Sequence, residues 1–135
     1  MEYIIQSRSK KMKKYLEIIL PSMLNQLGLT NARKALVVTL EPDCKDLGLT
    51  VAMDAIDSFV IVIRSTQSIK QVGLTLAHEL VHVRQIAKGF LKTSTRGSHI
   101  WAGKRYPEKT PYLSRPWELD AFARQEIIFR RAIEE

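Results

Sequence analysis

Residues 75–89, TLAHELVHVRQIAKG, constrain this chain more than any other segment because they carry an H-E-x-x-H pattern. His78 and His82 are one turn apart on an α-helix, so both imidazoles can reach one metal ion. Glu79 lies one residue round from His78, where its carboxylate can touch a water on that metal without ligating it. Two of the chain's 3 histidines are in this pattern. The segment therefore predicts a helix that supplies two metal ligands and a base.

The periodicity of the apolar residues predicts an α+β fold around this helix. Three amphipathic helices are predicted, at about 9–27, 69–88 and 116–133. Four segments are typical of strands, at about 2–6, 35–40, 47–54 and 59–63. No repeat or linker interrupts the 135 residues. We therefore expect a single domain over 1–135, in which a small mixed sheet packs on helices.

Two of the predicted strands differ in pattern. Leu47, Leu49, Val51 and Met53 alternate with smaller or polar residues, which predicts one buried and one open face. Residues 59–63, FVIVI, are apolar throughout, as in a strand covered on both faces. The alternating strand is therefore expected nearer an edge, where unpaired N–H and C=O groups can accept an extended peptide.

Further local features concern the predicted helices and the segment after the motif helix. Pro21 is expected to kink the first helix or split off its last turn. Gly73 in the motif helix predicts close packing against the sheet, and residues 90–106 predict a hairpin or an irregular loop. The last helix offers apolar residues for packing, among them Trp117, Ala121, Ile127, Ile128 and Phe129.

The net charge of +7 favours acidic partners, and binding of nucleic acid is possible on this ground. One basic cluster opens the first helix: Arg8, Lys10, Lys11, Lys13 and Lys14. A looser group follows the motif helix, where it could rim a substrate cleft or simply be solvated: Arg96, Lys104, Arg105, Lys109 and Arg115. No aromatic and basic residues interleave as in a base-stacking surface.

Other classes of protein are disfavoured. No apolar run reaches the ~18 residues that span a bilayer, and the charged start lacks the apolar region of a signal peptide. We therefore expect no membrane partner and a cytoplasmic location. The single Cys44 cannot form an internal disulfide and is expected to be inert.

A catalytic zinc needs a third protein ligand. The candidates downstream are His99, Glu108, Glu118, Asp120, Glu126, Glu134 and Glu135. Glu118 lies in the first turn of the last helix between Trp117 and Ala121, where a carboxylate among buried residues would be offset by a cation. It is therefore the preferred ligand, against the alternative of a helix N-terminal charge that favours the macrodipole. Asp120 is better placed for an outer-shell or surface role.

Several motifs together resemble the small bacterial and phage-type metallopeptidases of the gluzincin class. They are HELVHVRQ at 78–85, W-A-G at 101–103, PWELDA at 116–121, and Tyr106 and Tyr112. The order of elements before the motif helix is similar to the minimal zincin core. The chain lacks the H-E-x-x-H-x-x-G-x-x-H extension, which separates it from metzincins. The resemblance covers about 30–125, and for a phage-encoded protein the location would be the host cytoplasm.

The resemblance implies a zinc-dependent peptidase acting on a protein or peptide. His78, His82 and Glu118 would hold Zn²⁺, and Glu79 would take the proton from the attacking water and deliver it to the leaving amine. An oxyanion donor is expected in Tyr112, then Tyr106 or His99; for each tyrosine, the alternative is a packed aromatic with a satisfied hydroxyl. The substrate would pair with the edge strand at 49–53, beside Leu49, Val51 and Met53.

A second function keeps the fold without turnover. In this alternative a zincin-like scaffold, with or without metal, binds a protein or nucleic acid through its basic surface. Metal content and peptide cleavage discriminate between the two.

Overall fold

A four-stranded sheet forms the base of the molecule. The structure, a computed structural model, describes residues 1–93 and 97–134. The sheet contains β1 (Glu2–Gln6), β2 (Ala35–Glu41), β3 (Gly48–Met53) and β4 (Ser58–Arg64), in the order β1-β2-β4-β3. β1, β2 and β4 are parallel, whereas β3 is antiparallel to β4. The sequence-based expectation that β4 is interior and β3 is at an edge is confirmed, as is the α+β class.

Three helices pack on this sheet. They are α1 (Lys10–Gln26), α2 (Ile69–Ala87) and α3 (Pro116–Glu134), each within two residues of its predicted bounds. The side chains of Ser9 and Ser68 accept hydrogen bonds from the first turns of α1 and α2, which satisfies backbone donors that have no intrahelical partner. Of the two expected effects of Pro21, a split is not observed, because α1 continues past it to Gln26.

The core lies between the helices and one face of the sheet. Ile5, Val38, Ile61 and Thr50 are paired across the four strands, so they point to the same face. The first three are buried under the helices. The opposite face is open among the described residues, since Val60 and Val62 are only half-buried. The prediction that residues 59–63 are covered on both faces is therefore wrong. Although β4 pairs in parallel with β2, the described helices cover only one face of the sheet.

The alternation in β3 is real, but its apolar side is the open one. Leu47, Leu49, Val51 and Met53 are 42–53% exposed. The register with β4 places Thr50 on the row of Ile61, so the smaller residues of β3 face the helices instead. Strand register, which depends on the neighbour, decided the buried side.

Two packing expectations for the helices are also wrong. Gly73 meets α3 and α1 rather than the sheet: a Cβ there would lie 2.3 Å from the Phe129 ring and 3.3 Å from the Tyr15 hydroxyl. Ile127 is 44% exposed, whereas Trp117, Ala121, Ile128 and Phe129 are buried as expected. The close contact at Gly73 brings α3 against the motif helix.

Residues after α2 form a second, small antiparallel sheet. It contains β5 (Leu91–Thr93), β6 (His99–Trp101) and β7 (Lys104–Tyr106) in that order. The expected hairpin corresponds to β6 and β7. In the described part of the chain, no helix combines the length and apolar character needed to cross a membrane.

Candidate metal centre

The motif residues lie on α2 where that helix crosses the sheet. His78, Glu79 and His82 are all buried, with 6–8% of their surface exposed. Each offers a ligand atom within 4.8 Å of the others, so the three residues could hold a metal ion. The neighbours Ala77, Leu80 and Val81 are fully buried and anchor this stretch of helix in the core.

The first turn of α3 brings Glu118 to both histidines. Glu118 Oε1 lies 3.0 Å from Nε2 of His78 and 3.0 Å from Nε2 of His82. Ligands at about 2.0–2.1 Å around a tetrahedral ion are separated by about 3.3 Å, so these spacings are close to those of a zinc site. Of the described acidic residues named from the sequence, Glu118 is the one that contacts both histidines. Asp120 instead accepts a hydrogen bond from the Gln85 side chain. Glu135 and Arg96 are outside the described residues.

The tautomer of His82 follows from the partners of Gln85. The Gln85 side-chain nitrogen donates to the Trp117 carbonyl oxygen and to an Asp120 carboxylate oxygen, both at 2.9 Å. Its amide oxygen is therefore the atom that faces His82. That oxygen only accepts hydrogen bonds and lies 2.8 Å from His82 Nδ1, so Nδ1 carries the proton. In the neutral ring the lone pair is then on Nε2, which points at Glu118.

The two histidines thus share one arrangement. His78 Nδ1 lies 2.8 Å from the Gln125 amide oxygen, as His82 Nδ1 does from Gln85. In a neutral His82 ring, and in a neutral His78 ring of the same tautomer, the Nε2 lone pair faces an ionised Glu118 oxygen, which also has no proton to offer. A cation between them, or a proton on Nε2, relieves that repulsion. Two imidazole nitrogens and a carboxylate oxygen are a donor set that suits Zn²⁺.

The edge strand holds the carboxylate of Glu79. The Thr50 hydroxyl donates to Glu79 Oε1 at 2.8 Å, with the Glu79 backbone oxygen at 3.2 Å. Two residues earlier, a Cβ on Gly48 would lie 2.5 Å from Thr75 Cγ2 and 3.0 Å from Glu79 Cγ. The absence of a side chain at Gly48 therefore lets β3 approach α2 closely enough for Thr50 to reach the carboxylate.

The aromatic residues predicted as oxyanion donors separate in space. The Tyr112 hydroxyl donates to Glu118 Oε1 at 3.0 Å, and its ring lines the cleft beside the histidines. His99 instead stacks on Trp117 with 4.7 Å between ring centroids, and Tyr106 packs edge-on against the same ring at 5.6 Å. Neither lines the cleft. Both residues instead pack on the ring of Trp117, the residue that precedes Glu118.

Burial and charge set the protonation of the centre. Burial raises the pKa of the Glu79 carboxyl, and attraction to His82 offsets this only in part. Burial also disfavours the charge on Glu118, but when both motif histidines carry a proton on Nε2, their hydrogen bonds hold the pKa of Glu118 well below the usual range. Burial and the Glu118 charge raise the pKa of Tyr112. At neutral pH the centre therefore combines an ionised Glu118, a Glu79 of increased basicity and a Tyr112 that can donate.

A cleft of about 690 Å³ opens beside the centre. Its walls come from β3 and the preceding loop, α2, α3 and the segment before α3. The lining residues are Asp46, Leu47, Gly48, Leu49, Thr50, Gln71, Leu74, Thr75, His78, Glu79, His82, Tyr112, Arg115, Glu118, Phe122 and Gln125. Of the two basic clusters, Arg115 alone lines it among the described residues. The other basic residues, on α1 and around β7, are exposed elsewhere.

Sequence reasoning missed Thr50, Gln85 and Gln125. Two of these had a signal in the spacing: Gln85 follows His82 by three residues and Gln125 follows Glu118 by seven, so each shares a helix face with a predicted ligand. Thr50 had none, because its contact with Glu79 crosses 29 residues.

Comparisons with protein-family models, with curated proteins and with solved structures gave no match. The functional assignment therefore depends on the residues of this chain.

Proposed function

We propose that this protein is a zinc-dependent peptidase, with His78, His82 and Glu118 as the metal ligands. The observation that carries the proposal is the convergence of two histidine Nε2 atoms on one Glu118 oxygen at 3.0 Å, with both opposite ring nitrogens held by glutamine amides. Glu79 could also reach an ion. We favour Glu118 because it contacts both histidines, whereas Thr50 holds one oxygen of Glu79.

Zinc bound there would supply a Lewis acid that polarises the scissile carbonyl. It would also lower the pKa of water, so that water can lose a proton and attack at neutral pH. Glu79, whose pKa is raised by burial, accepts a proton from the attacking water. The water oxygen forms a bond to the carbonyl carbon, the C–N bond breaks, and Glu79 returns the proton to the departing amine. The Thr50 hydroxyl keeps the Glu79 carboxylate oriented during these transfers.

The developing oxyanion needs a donor that is protonated at the working pH. The Tyr112 hydroxyl meets this requirement, since burial and the Glu118 charge both raise its pKa. It lies within 3.0 Å of the Glu118 oxygen and lines the same cleft. Tyr112 is therefore the proposed donor.

The test uses the zinc content and peptide cleavage of two variants. Glu79→Gln should retain about one zinc per chain and lose cleavage of a casein or peptide-mixture substrate, because the amide cannot accept the proton. Glu118→Ala should lose the zinc, because two histidines remain where three ligands are needed. Glu126→Ala, an exposed glutamate further along α3, is the matched control and should change neither property.

Three results would contradict this assignment. A Glu79→Gln protein as active as wild type would exclude the base role, and a Glu118→Ala protein with unchanged zinc would exclude the ligand role. A zinc-loaded wild type that cleaves no peptide, but retards DNA in a gel at low salt, would favour the non-catalytic scaffold with a basic binding surface.

A further inference from the structure

The open face of the four-stranded sheet carries exposed apolar side chains in register. The residues Ile4, Leu47, Leu49, Val51 and Met53 are 42–61% exposed. The strand register places Ile4, Leu49, Val51 and Met53 on the face opposite the helices, and Leu47 and Leu49 also border the cleft. An apolar row of this kind on a surface marks a site of interaction.

Pairing across the strands arranges these side chains in rows that end at β3. Val51 pairs with Val60, which pairs with Val37, which pairs with Ile4. In the adjacent row, Leu49 pairs with Val62. Each row is open at β3 because β3 is the last strand of the sheet. A further strand added at that edge would extend both rows.

The free edge of β3 is also the wall of the candidate active site. Thr50 points to the helix side of the strand and holds Glu79, whereas Leu49 and Val51 on either side of it point to the open face. A peptide paired with β3 would alternate in the same way. One set of its side chains would enter the cleft, and the other set would lie about 4.5–5.5 Å from the exposed β3 residues on the open face.

We propose that this protein acts on extended peptide segments with apolar residues at alternate positions, and that Leu49 and Val51 select them. This inference depends on the proposed peptidase function. Such segments are accessible in unfolded or partly unfolded proteins, where strand-forming apolar stretches are not yet buried. The rows would continue across the bound peptide as they do across β2 and β4.

An extended peptide fits this surface better than a second copy of the chain. The cleft of about 690 Å³ opens along the same edge, at residues 46–50, and a single strand laid there would pass both the metal centre and the apolar rows. Pairing of two β3 strands from two copies would instead occupy the edge beside Glu79 in both.

The test compares two internally quenched fluorogenic ten-residue peptides, one with valine and one with serine at alternate positions. The zinc-loaded wild type should cleave the valine peptide with a kcat/KM about 2- to 25-fold higher, the range expected for two apolar cross-strand pairs. The double variant Leu49→Thr, Val51→Thr has β-branched threonine at both positions, which suits a strand, and should lose most of this preference. Ile4→Thr, on the same face at the far edge, should retain it.

Equal kcat/KM for the two peptides on wild type would overturn the inference while leaving the peptidase function intact. So would an unchanged preference in a double variant whose thermal unfolding matches wild type. If neither peptide is cleaved, anisotropy of the labelled peptides separates the two proposals: valine-selective binding that needs Leu49 and Val51 supports the surface and counts against turnover. A dimer at low micromolar concentration that dissociates in the double variant would assign the face to a second copy and overturn the proposal.

Discussion

Thr50 lies on the edge strand β3 and donates to the proposed base Glu79, so its hydroxyl offers a direct test of the proposed mechanism. Thr50→Val removes that hydroxyl and keeps a β-branched side chain of almost the same shape. The carboxylate of Glu79 then loses the donor at 2.8 Å on Oε1. We expect the backbone of β3 and both histidines to stay in place, because the Thr50 hydroxyl donates to Glu79 and not to either imidazole. The change therefore isolates the orientation of the carboxylate.

The magnitude follows from the charge and burial of the acceptor. Glu79 is 6% exposed, so water has little access to replace the lost donor. A hydrogen bond to a charged group contributes about 1.5–3 kcal/mol. If the bond holds the carboxylate fully in the transition state, kcat should fall about 10- to 150-fold. KM should stay within about 2-fold, because the proposed pairing of the substrate uses the backbone edge of β3, which the substitution leaves unchanged.

The assay is steady-state cleavage of a quenched peptide, together with zinc content. Thr50→Ser should recover most of kcat because it restores the donor. Thr39→Val is a matched control: the Thr39 hydroxyl also donates to a carboxylate, that of Glu41 at 3.0 Å, but on the open face of β2. A Thr50→Val enzyme with wild-type kcat, or a serine variant as slow as the valine variant, would refute the positioning role.

Three further predictions concern the surroundings of the centre. Gln85→Leu should weaken zinc binding about 10- to 100-fold in a competitive chelator titration, because His82 loses the partner of Nδ1; unchanged affinity would contradict this. Tyr112→Phe should lower kcat about 100-fold with zinc content unchanged. A change in KM alone, with kcat as in the wild type, would exclude the oxyanion role. Gly73→Ala should destabilise the protein by about 1–3 kcal/mol in urea unfolding, because its Cβ would press on the Phe129 ring at 2.3 Å. Equal or greater stability would show that α2 and α3 can separate at no cost.

Patterns within one element were sufficient for much of the fold. Helical periodicity placed the helices within two residues, because apolar spacing acts over a few neighbours. The same locality brought His78 and His82 together, since one helical turn separates them. Glu118 was also preferred from local context, as a charge next to the buried Trp117.

Contacts between elements were not accessible in this way. The alternation of residues in β3 predicted one buried and one open face. Only pairing with β4 decided that Leu49 and Val51 lie on the open face. Strand register depends on the neighbour and on the turn, so a single strand pattern cannot assign its faces. The position of Gly73 against Phe129 likewise depended on where α3 crosses α2.

The sequence by itself determined which residue types could form a metal centre: two histidines one turn apart, a glutamate beside them and a second glutamate at the start of another helix. Only the tertiary structure decided how they meet. It placed Glu118 Oε1 3.0 Å from both rings, and it turned Gln85 and Gln125 towards the opposite nitrogens. It also brought Thr50 to Glu79 across the space left by Gly48. The physical reason is that these contacts form between chain segments held together by core packing, which no local spacing encodes.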